Sequence, residues 1–162
     1  MKKLKGFSLV ELIIAMGIMT ILITLLTQTF GSILSLRQKS EAVSSIAQDS
    51  RYVLLRLAYD TGRATSITTP SVGTSSSTLT MSINSQSYVY SLSNGNLVLS
   101  VAGGQAQQIN SVGTSVTSLS FTRNNNIGSK SVVQLDLTLR ATEVESGVQN
   151  DTRRIQSTLI TR

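Results

Sequence analysis

An apolar run near the N-terminus constrains this chain more than any other feature of its sequence. The eighteen residues from Leu9 to Leu26 are Leu, Ile, Val, Met and Ala with one glycine and two threonines, and Glu11 is their only ionisable residue. At about 1.5 Å per residue, this run nearly crosses a hydrocarbon core of roughly 30 Å. The apolar character continues more thinly to Leu36. The sequence therefore predicts a membrane-spanning helix.

The residues before the apolar run indicate its orientation. Lys2, Lys3 and Lys5 lie on a short N-terminal tail, which is typical of a cytoplasmic flank, so the rest of the chain is expected outside the cytoplasm. A secretory signal peptide would have a small-residue cleavage site after its apolar stretch, and none follows this run. Processing would instead occur before the run, between Gly6 and Phe7. A plain single-pass anchor remains an alternative at this point.

Glu11 would raise the free energy of inserting a plain membrane anchor. A carboxylate costs about 2.5–3.5 kcal/mol at the bilayer centre, and no lysine or arginine lies between Gly6 and Arg37 to pair with it. Cleavage after Gly6 would give Phe7 a free amine, four residues before Glu11 on the same helical face. This amine is a candidate partner for the carboxylate. The alternative is a carboxylate that snorkels to the membrane interface.

The segment KGFSLVELIIAMGIMTILITLL resembles the prepilin leader and N-terminal helix of type IV pilins and type II secretion pseudopilins. The resemblance implies that a prepilin peptidase cuts between Gly6 and Phe7 and methylates the new amine of Phe7. It also implies that Glu11 supports filament assembly by facing the Phe7 amine of a neighbouring subunit. The basic residues of the leader would be Lys2, Lys3 and Lys5.

An amphipathic segment over residues 37–62 continues the predicted helix, with apolar residues at spacings of three, four and seven and charged residues mostly in the gaps. The apolar positions of this stripe are Leu36, Val43, Ile46, Ala47, Val53, Leu54, Leu57 and Ala58. The residues assigned to the gaps are Arg37, Lys39, Glu41, Gln48, Asp49, Arg51 and Asp60. Gly62 is a stop signal. A coiled-coil dimer is the alternative, but the serine, glutamine and alanine residues in its seam favour packing on a sheet.

The sequence pattern of the remainder of the chain predicts a loop followed by strands. Residues 63–78 are predicted as a surface loop, because residues 65–78 lack charge and contain Pro70 and Gly73. Period-two apolar runs over residues 79–162 predict half-buried antiparallel strands. Asn94-Gly95 predicts a tight hairpin, and the asparagines at 124–126 predict a later turn. The fold class is therefore α+β, with the helix covering one face of an antiparallel sheet.

This order of elements is similar to the pilin fold. Within that family, SRYVLLRLAYDTGRATSI is similar to the helix end of PulJ-like and PilW-like minor pilins, and SYVYSLSNGNLVLS, SVTSLSFTRNNN and VVQLDLTLRA are similar to their strands. Two features depart from many major pilins. Gln28 stands where they have a helix-kinking proline, and the chain has no cysteine for their disulfide-closed loop.

The composition excludes several classes of function. Without cysteine or histidine, the chain has no thiol nucleophile, His-dependent catalytic triad or thiolate zinc site, and no phosphate-binding loop is present. Four acidic residues fit no calcium-loop spacing and are interpreted as solvated: Asp136, Glu143, Glu145 and Asp151. Arg153 and Arg154 are interpreted as surface residues rather than as a nucleic-acid site. We expect no catalysis, cofactor, metal or small-molecule substrate.

The sequence thus predicts a structural protein, a minor pilin or pseudopilin. Its expected parts are a leader (1–6), a membrane and filament-core helix (7–36) and an extracytoplasmic globular domain (37–162). Its expected partners are prepilin peptidase, other pilin or pseudopilin subunits, the membrane and assembly platform proteins. It would lie in the cytoplasmic membrane as a single-pass protein and then enter a type IV pilus or type II secretion pseudopilus. The alternative is a membrane-anchored extracytoplasmic binding module that does not polymerise.

Overall fold

A computed structural model describes residues 8–127, 130–142 and 152–161 of the chain. One long helix, α1 (Leu9–Arg63), precedes a series of strands. The chain divides into two compact units, residues 1–38 and residues 39–162. The strands, all in the second unit, are β1 (Ser66–Thr69), β2 (Ser75–Ser76), β3 (Leu79–Ile83), β4 (Gln86–Ser93), β5 (Asn96–Val101), β6 (Gln107–Gln108), β7 (Thr114–Ile127), β8 (Lys130–Ala141) and β9 (Thr152–Ile160).

The strands form two antiparallel sheets rather than the single sheet that the sequence predicts. One sheet has the order β1-β3-β4-β5-β6 and the other has the order β2-β7-β8-β9. β6, with two residues, is an edge strand of the first sheet, and β7 lies between β2 and β8 in the second. The two sheets are still connected, because the backbone amide of Val116 in β7 donates to the Gly95 carbonyl in the β4–β5 turn at 2.7 Å. The α+β class with a long N-terminal helix is confirmed.

The packed part of α1 buries a stripe that differs from the predicted one. Its buried residues are Ala42, Ile46, Asp49, Ser50, Val53, Leu57, Asp60 and Thr61. Leu36, Val43 and Ala58, which were expected in the stripe, are exposed. Asp49 and Asp60, which were expected in the gaps, are buried. The reason is geometric, since successive members of the observed stripe are mostly three or four residues apart and position on the helix outweighs polarity.

The strand predictions hold where apolar residues alternate. Leu79, Met81 and Ile83 of β3 are all buried, as period two requires. The hairpin between β4 and β5 is confirmed, because Ser93 pairs with Asn96 and leaves a two-residue loop. Its central residues Asn94 and Gly95 have φ values of 49° and 76°, the left-handed conformation that a type I′ turn needs.

Two segments predicted as irregular form strands instead. The predicted loop over residues 63–78 contains β1, where Ile67 is buried and pairs with Met81 of β3, and β2, which pairs with β7. The predicted turn at 124–126 lies within β7. There Asn124 pairs with Val132 of β8, and the ladder closes at Ile127 opposite Lys130. Pairing with a long neighbouring strand therefore overrides the local preference of these residues for loops.

Candidate functional site in the N-terminal helix

The first part of α1 exposes apolar side chains on every face. All residues from Ser8 to Glu41 are exposed, with Leu9 at 74% of its full accessible surface. In the part of the chain that the structure describes, this is the one helix long and apolar enough to cross a membrane. A water-soluble monomer rarely exposes so large an apolar surface. The helix therefore fits a membrane-anchored, single-pass protein.

Hydroxyl groups in this helix are satisfied by the helix itself. The Thr20 Oγ1 donates to the Met16 carbonyl at 2.8 Å, and the same arrangement recurs four residues apart at Thr24, Thr27, Thr29 and Ser32. Ser35 bonds to the carbonyl three residues before it. Unsatisfied polar groups are costly in hydrocarbon. These hydroxyls consequently need no partner outside the helix when it lies in lipid.

Glu11 lies exposed in the first turn of α1. At that position a carboxylate interacts favourably with the partial positive charge of the helix N-terminus. No hydrogen bond or ion pair joins its side chain to any residue that the structure describes. An anionic group is thus held at the start of an apolar helix, where a cation from another molecule can reach it. This arrangement suits electrostatic pairing.

The predicted leader and processing site lie outside the described residues. This applies to the cleavage pair Gly6 and Phe7 and to the basic residues Lys2, Lys3 and Lys5. Of the residues singled out from the motif, the structure places Glu11 alone. The relation of Glu11 to the Phe7 amine stays a prediction.

The buried side chain of Asp49 accepts hydrogen bonds from residues of its own unit. Its Oδ2 accepts hydrogen bonds from the backbone amide and the hydroxyl of Ser111, both at 2.8 Å, and from the hydroxyl of Thr114. These contacts fix the β6–β7 connection to α1. The connection also exposes Val112 at 86%, while its carbonyl accepts from the Thr142 hydroxyl at 2.9 Å. Asp49 therefore has a structural role that its polarity alone did not reveal.

The second buried acid, Asp60, also accepts hydrogen bonds within its own unit. Its Oδ2 accepts from Arg56 Nε at 2.9 Å and from the hydroxyl of Tyr90. Burial raises the pKa of Tyr90 well above its usual range, and the hydrogen bond to Asp60 raises it further. The phenol consequently stays protonated and donates to the carboxylate. This cluster joins α1 to β4.

Arg123 of β7 ties the two sheets together. Its guanidinium donates to the carbonyl of Ile67 in β1 and, at 3.0 Å, to the hydroxyl of Ser131 in β8. Its Nε is buried without a hydrogen-bond partner among the described residues. The guanidinium of Arg123 therefore bonds to a backbone carbonyl of β1 and to a hydroxyl of β8, and its charge has a structural role.

Asp136, a residue considered as a calcium ligand, is held by β9. Hydrogen bonds from Arg154 and then Gln156 lower the pKa of Asp136 to about 2. The other three acids in that set, Glu143, Glu145 and Asp151, lie outside the described residues. Within residues 8–127, 130–142 and 152–161, no group of three or more potential side-chain ligands is suited to a metal ion.

Comparison with known proteins identifies the N-terminal segment. Residues 1–27 match the family model of the prokaryotic N-terminal methylation motif. No curated protein and no solved structure matches the chain. The motif points to a structural subunit rather than an enzyme, to processing by a prepilin peptidase and to assembly with other pilins. The methylation motif and the long apolar helix together support the type IV pilin and pseudopilin family for this chain.

Proposed function

We propose that this chain is a minor pilin or pseudopilin that assembles from the cytoplasmic membrane into a type IV pilus or a type II secretion pseudopilus. Prepilin peptidase removes residues 1–6 and methylates the amine of Phe7. Residues 7–36 then anchor the subunit, with residues 37–162 on the extracytoplasmic side. Assembly platform proteins and other pilin or pseudopilin subunits receive the processed chain.

The observation that carries this proposal is the complete exposure of the apolar part of α1. An apolar helix of this length needs lipid in the precursor and neighbouring helices in a filament. Moving it from lipid into a helix bundle gains little hydrophobic free energy, because lipid tails are already apolar. Packing and polar contacts between helices must then drive assembly. A single charged residue in the span can therefore have a large effect on the free energy of assembly.

Glu11 is the residue that we assign to this polar contact. In the precursor its carboxylate lies near the membrane interface, where water and headgroups solvate it. In a filament, neighbouring helices would enclose it, and an unpaired charge would be expensive there. The Phe7 amine of an adjacent subunit supplies the opposite charge in an environment of low dielectric constant, where the attraction is stronger than in water.

The assignment to the minor subunits rests on sequence features. The chain has Gln28 in place of a helix-kinking proline and has no cysteine, and its helix end and strands are similar to those of PulJ-like and PilW-like minor pilins. A membrane-anchored binding module that does not polymerise is the competing function. It predicts an unprocessed N-terminus.

Intact-mass measurement of the membrane-extracted protein distinguishes these functions. In cells with an active prepilin peptidase, we expect the loss of residues 1–6 and the gain of one methyl group. The variant Gly6→Val is the matched control, since it alters the cleavage position and leaves the span intact. It should retain the full mass. A wild-type protein that keeps its leader would contradict processing, and a Gly6→Val variant that loses its leader like the wild type would contradict the role of Gly6 in cleavage.

A further inference from the structure

Strand β9 is the one edge strand in the described part of the chain that is both long and regular. At two other sheet edges, β2 and β6 have two residues each. At the fourth edge, β1 has four residues and an irregular register between Ile67 and Thr69. Strand β9 has nine residues and pairs with β8 without a register shift. Because proteins usually shorten, distort or cover their edge strands, β9 is the edge best suited to receive a further strand.

The backbone of β9 leaves alternate hydrogen-bonding groups unpaired. Directly after β9, the amide of Thr161 donates to the Ser131 carbonyl of β8 at 2.9 Å. Because the register is regular, odd-numbered residues direct their amides and carbonyls at β8, and even-numbered residues direct them away from it. β9 pairs with no other described strand. The outward backbone groups belong to Thr152, Arg154, Gln156, Thr158 and Ile160.

A cleft lies beside this edge, between β9 and α1. It has a volume of about 200 Å³ and is lined by Val43, Ile46, Thr152 and Arg153. Side chains alternate between the two faces of a strand, so every second side chain of an added strand would lie on the side where the cleft opens. Sites at sheet edges obtain their specificity from pockets for such alternate side chains. The cleft can therefore receive one apolar side chain against Val43 and Ile46.

The charges beside the cleft define what can occupy it. Arg153 is exposed, and no ion pair joins it to a residue that the structure describes. Lys39, one turn before Val43 on the same face of α1, is also exposed. A charge at a sheet edge opposes pairing with a strand that cannot neutralise it. The β9 of a second copy brings two arginines and no carboxylate, so it does not complement this edge.

We propose that an extended segment of a partner protein, with apolar and acidic residues on one face, adds to the edge of β9 as a further strand. Its backbone bonds to the outward groups of β9, one apolar side chain enters the cleft, and a carboxylate pairs with Arg153. Main-chain bonds give such a contact its affinity, and the cleft and the arginine select the segment. The site lies wholly in the second unit and does not depend on leader processing or filament assembly.

The test is binding of a synthetic peptide to the full chain in detergent micelles, followed by fluorescence anisotropy. The probe is a peptide as long as β9 in which leucine alternates with threonine and one glutamate replaces a leucine. The control peptide has lysine in place of that glutamate. We expect the glutamate peptide to bind the wild type and the lysine peptide to bind about ten-fold more weakly or not at all. In Arg153→Glu this preference should reverse, because the charge at the edge is reversed.

Backbone pairing is tested with a variant that removes one outward amide. Thr158→Pro deletes an N–H that β8 does not use, so the glutamate peptide should bind about ten-fold more weakly. Thr158→Ala is the matched control and should bind like the wild type. Hydrogen exchange at single amides gives a second measurement. The peptide should slow exchange at Gln156 and Thr158, which face away from β8, and should change little at Ser157 and Leu159.

Three outcomes would overturn the proposal. The first is no binding of the glutamate peptide to the wild type. The second is equal affinity of the two peptides for the wild type, which would mean that Arg153 does not select the segment. The third is binding without slower exchange at the even-numbered amides of β9, which would place the peptide elsewhere. Circular dichroism checks the folding of each variant, and Arg153→Glu keeps the test decisive if Thr158→Pro does not fold.

Discussion

The two parts of α1 have the same secondary structure and opposite surroundings. Residues 9–38 expose all their side chains, and their hydroxyls bond to the helix backbone. Residues 39–63 bury a stripe that includes two carboxylates, and strand and loop residues far along the chain complete the bonds of those carboxylates. One half is thus suited to lipid and to other helices, whereas the other is suited to its own sheets.

The acidic residues show what this difference means for function. Asp49 and Asp60 of the second part are buried, and the Oδ2 atom of each accepts hydrogen bonds from residues of the same unit, so these side chains stabilise the fold. Glu11 of the first part is exposed, and its side chain bonds to no described residue. A carboxylate without a partner in the described part of the chain is available for an interaction with another subunit. This contrast is the reason that we assign assembly to Glu11 and stability to the two aspartates.

The largest expected effect on stability is a core truncation in the second part of α1. Leu57 is fully buried, so Leu57→Ala should lower the free energy of unfolding by about 2–5 kcal/mol. Leu25→Ala is the matched control in the exposed part and should leave that free energy unchanged. Chemical denaturation of the full chain in detergent, followed by the strand signal, measures both. Similar losses in the two variants would erase the distinction between the parts of the helix.

A smaller effect is expected when a buried acid loses its acceptor capacity. Asp49→Asn places an amide against three hydrogen-bond donors of Ser111 and Thr114, so we expect a loss of about 1–3 kcal/mol. Glu41→Gln makes the same chemical change at an exposed position of the same helix and should cost almost nothing. The same denaturation experiment compares them. If Asp49→Asn left the free energy of unfolding unchanged, the carboxylate would not be what holds the β6–β7 connection.

The sequence predicted much of this architecture because hydrophobic periodicity is a local signal. The apolar span, the alternating strands and the Asn94-Gly95 hairpin were all visible in it. The burial of Asp49 and Asp60 was not, because their partners Ser111 and Tyr90 are remote in sequence. Their spacing from Ile46, Val53 and Leu57 was the signal that could have placed them in the stripe. Likewise β1 and β2 form only because β3 and β7 offer edges to pair with.

The self-satisfied hydroxyls of the span were also beyond a reading of residue types alone. The sequence shows that threonine, serine and glutamine interrupt the apolar run. It does not show which of them find partners within the helix. The structure shows that the hydroxyls from Thr20 to Ser35 bond to carbonyls of their own helix.

The smallest effect concerns pH and the exposed pair on β8 and β9. Because Arg154 and Gln156 lower the pKa of Asp136 to about 2 from an ordinary value of 3.8, the pair stabilises the fold fully above about pH 4. That contribution is lost as the pH falls through 2. A carbon-detected NMR titration of the Asp136 carboxyl should show a midpoint near 2. In Arg154→Gln the midpoint should rise towards 3.8, and an unchanged midpoint would refute the role of the arginine.

The central claim, that the exposed part of α1 assembles through Glu11, is tested most directly by filament incorporation. The amount of each variant in sheared or cross-linked filaments is compared with its amount in membranes. Glu11→Ala should insert and be cleaved normally, yet its incorporation should fall by about ten-fold or more, because a buried amine would lose its partner. Glu11→Asp should be intermediate, since its shorter side chain keeps the charge. Equal incorporation of wild type and Glu11→Ala would contradict the account.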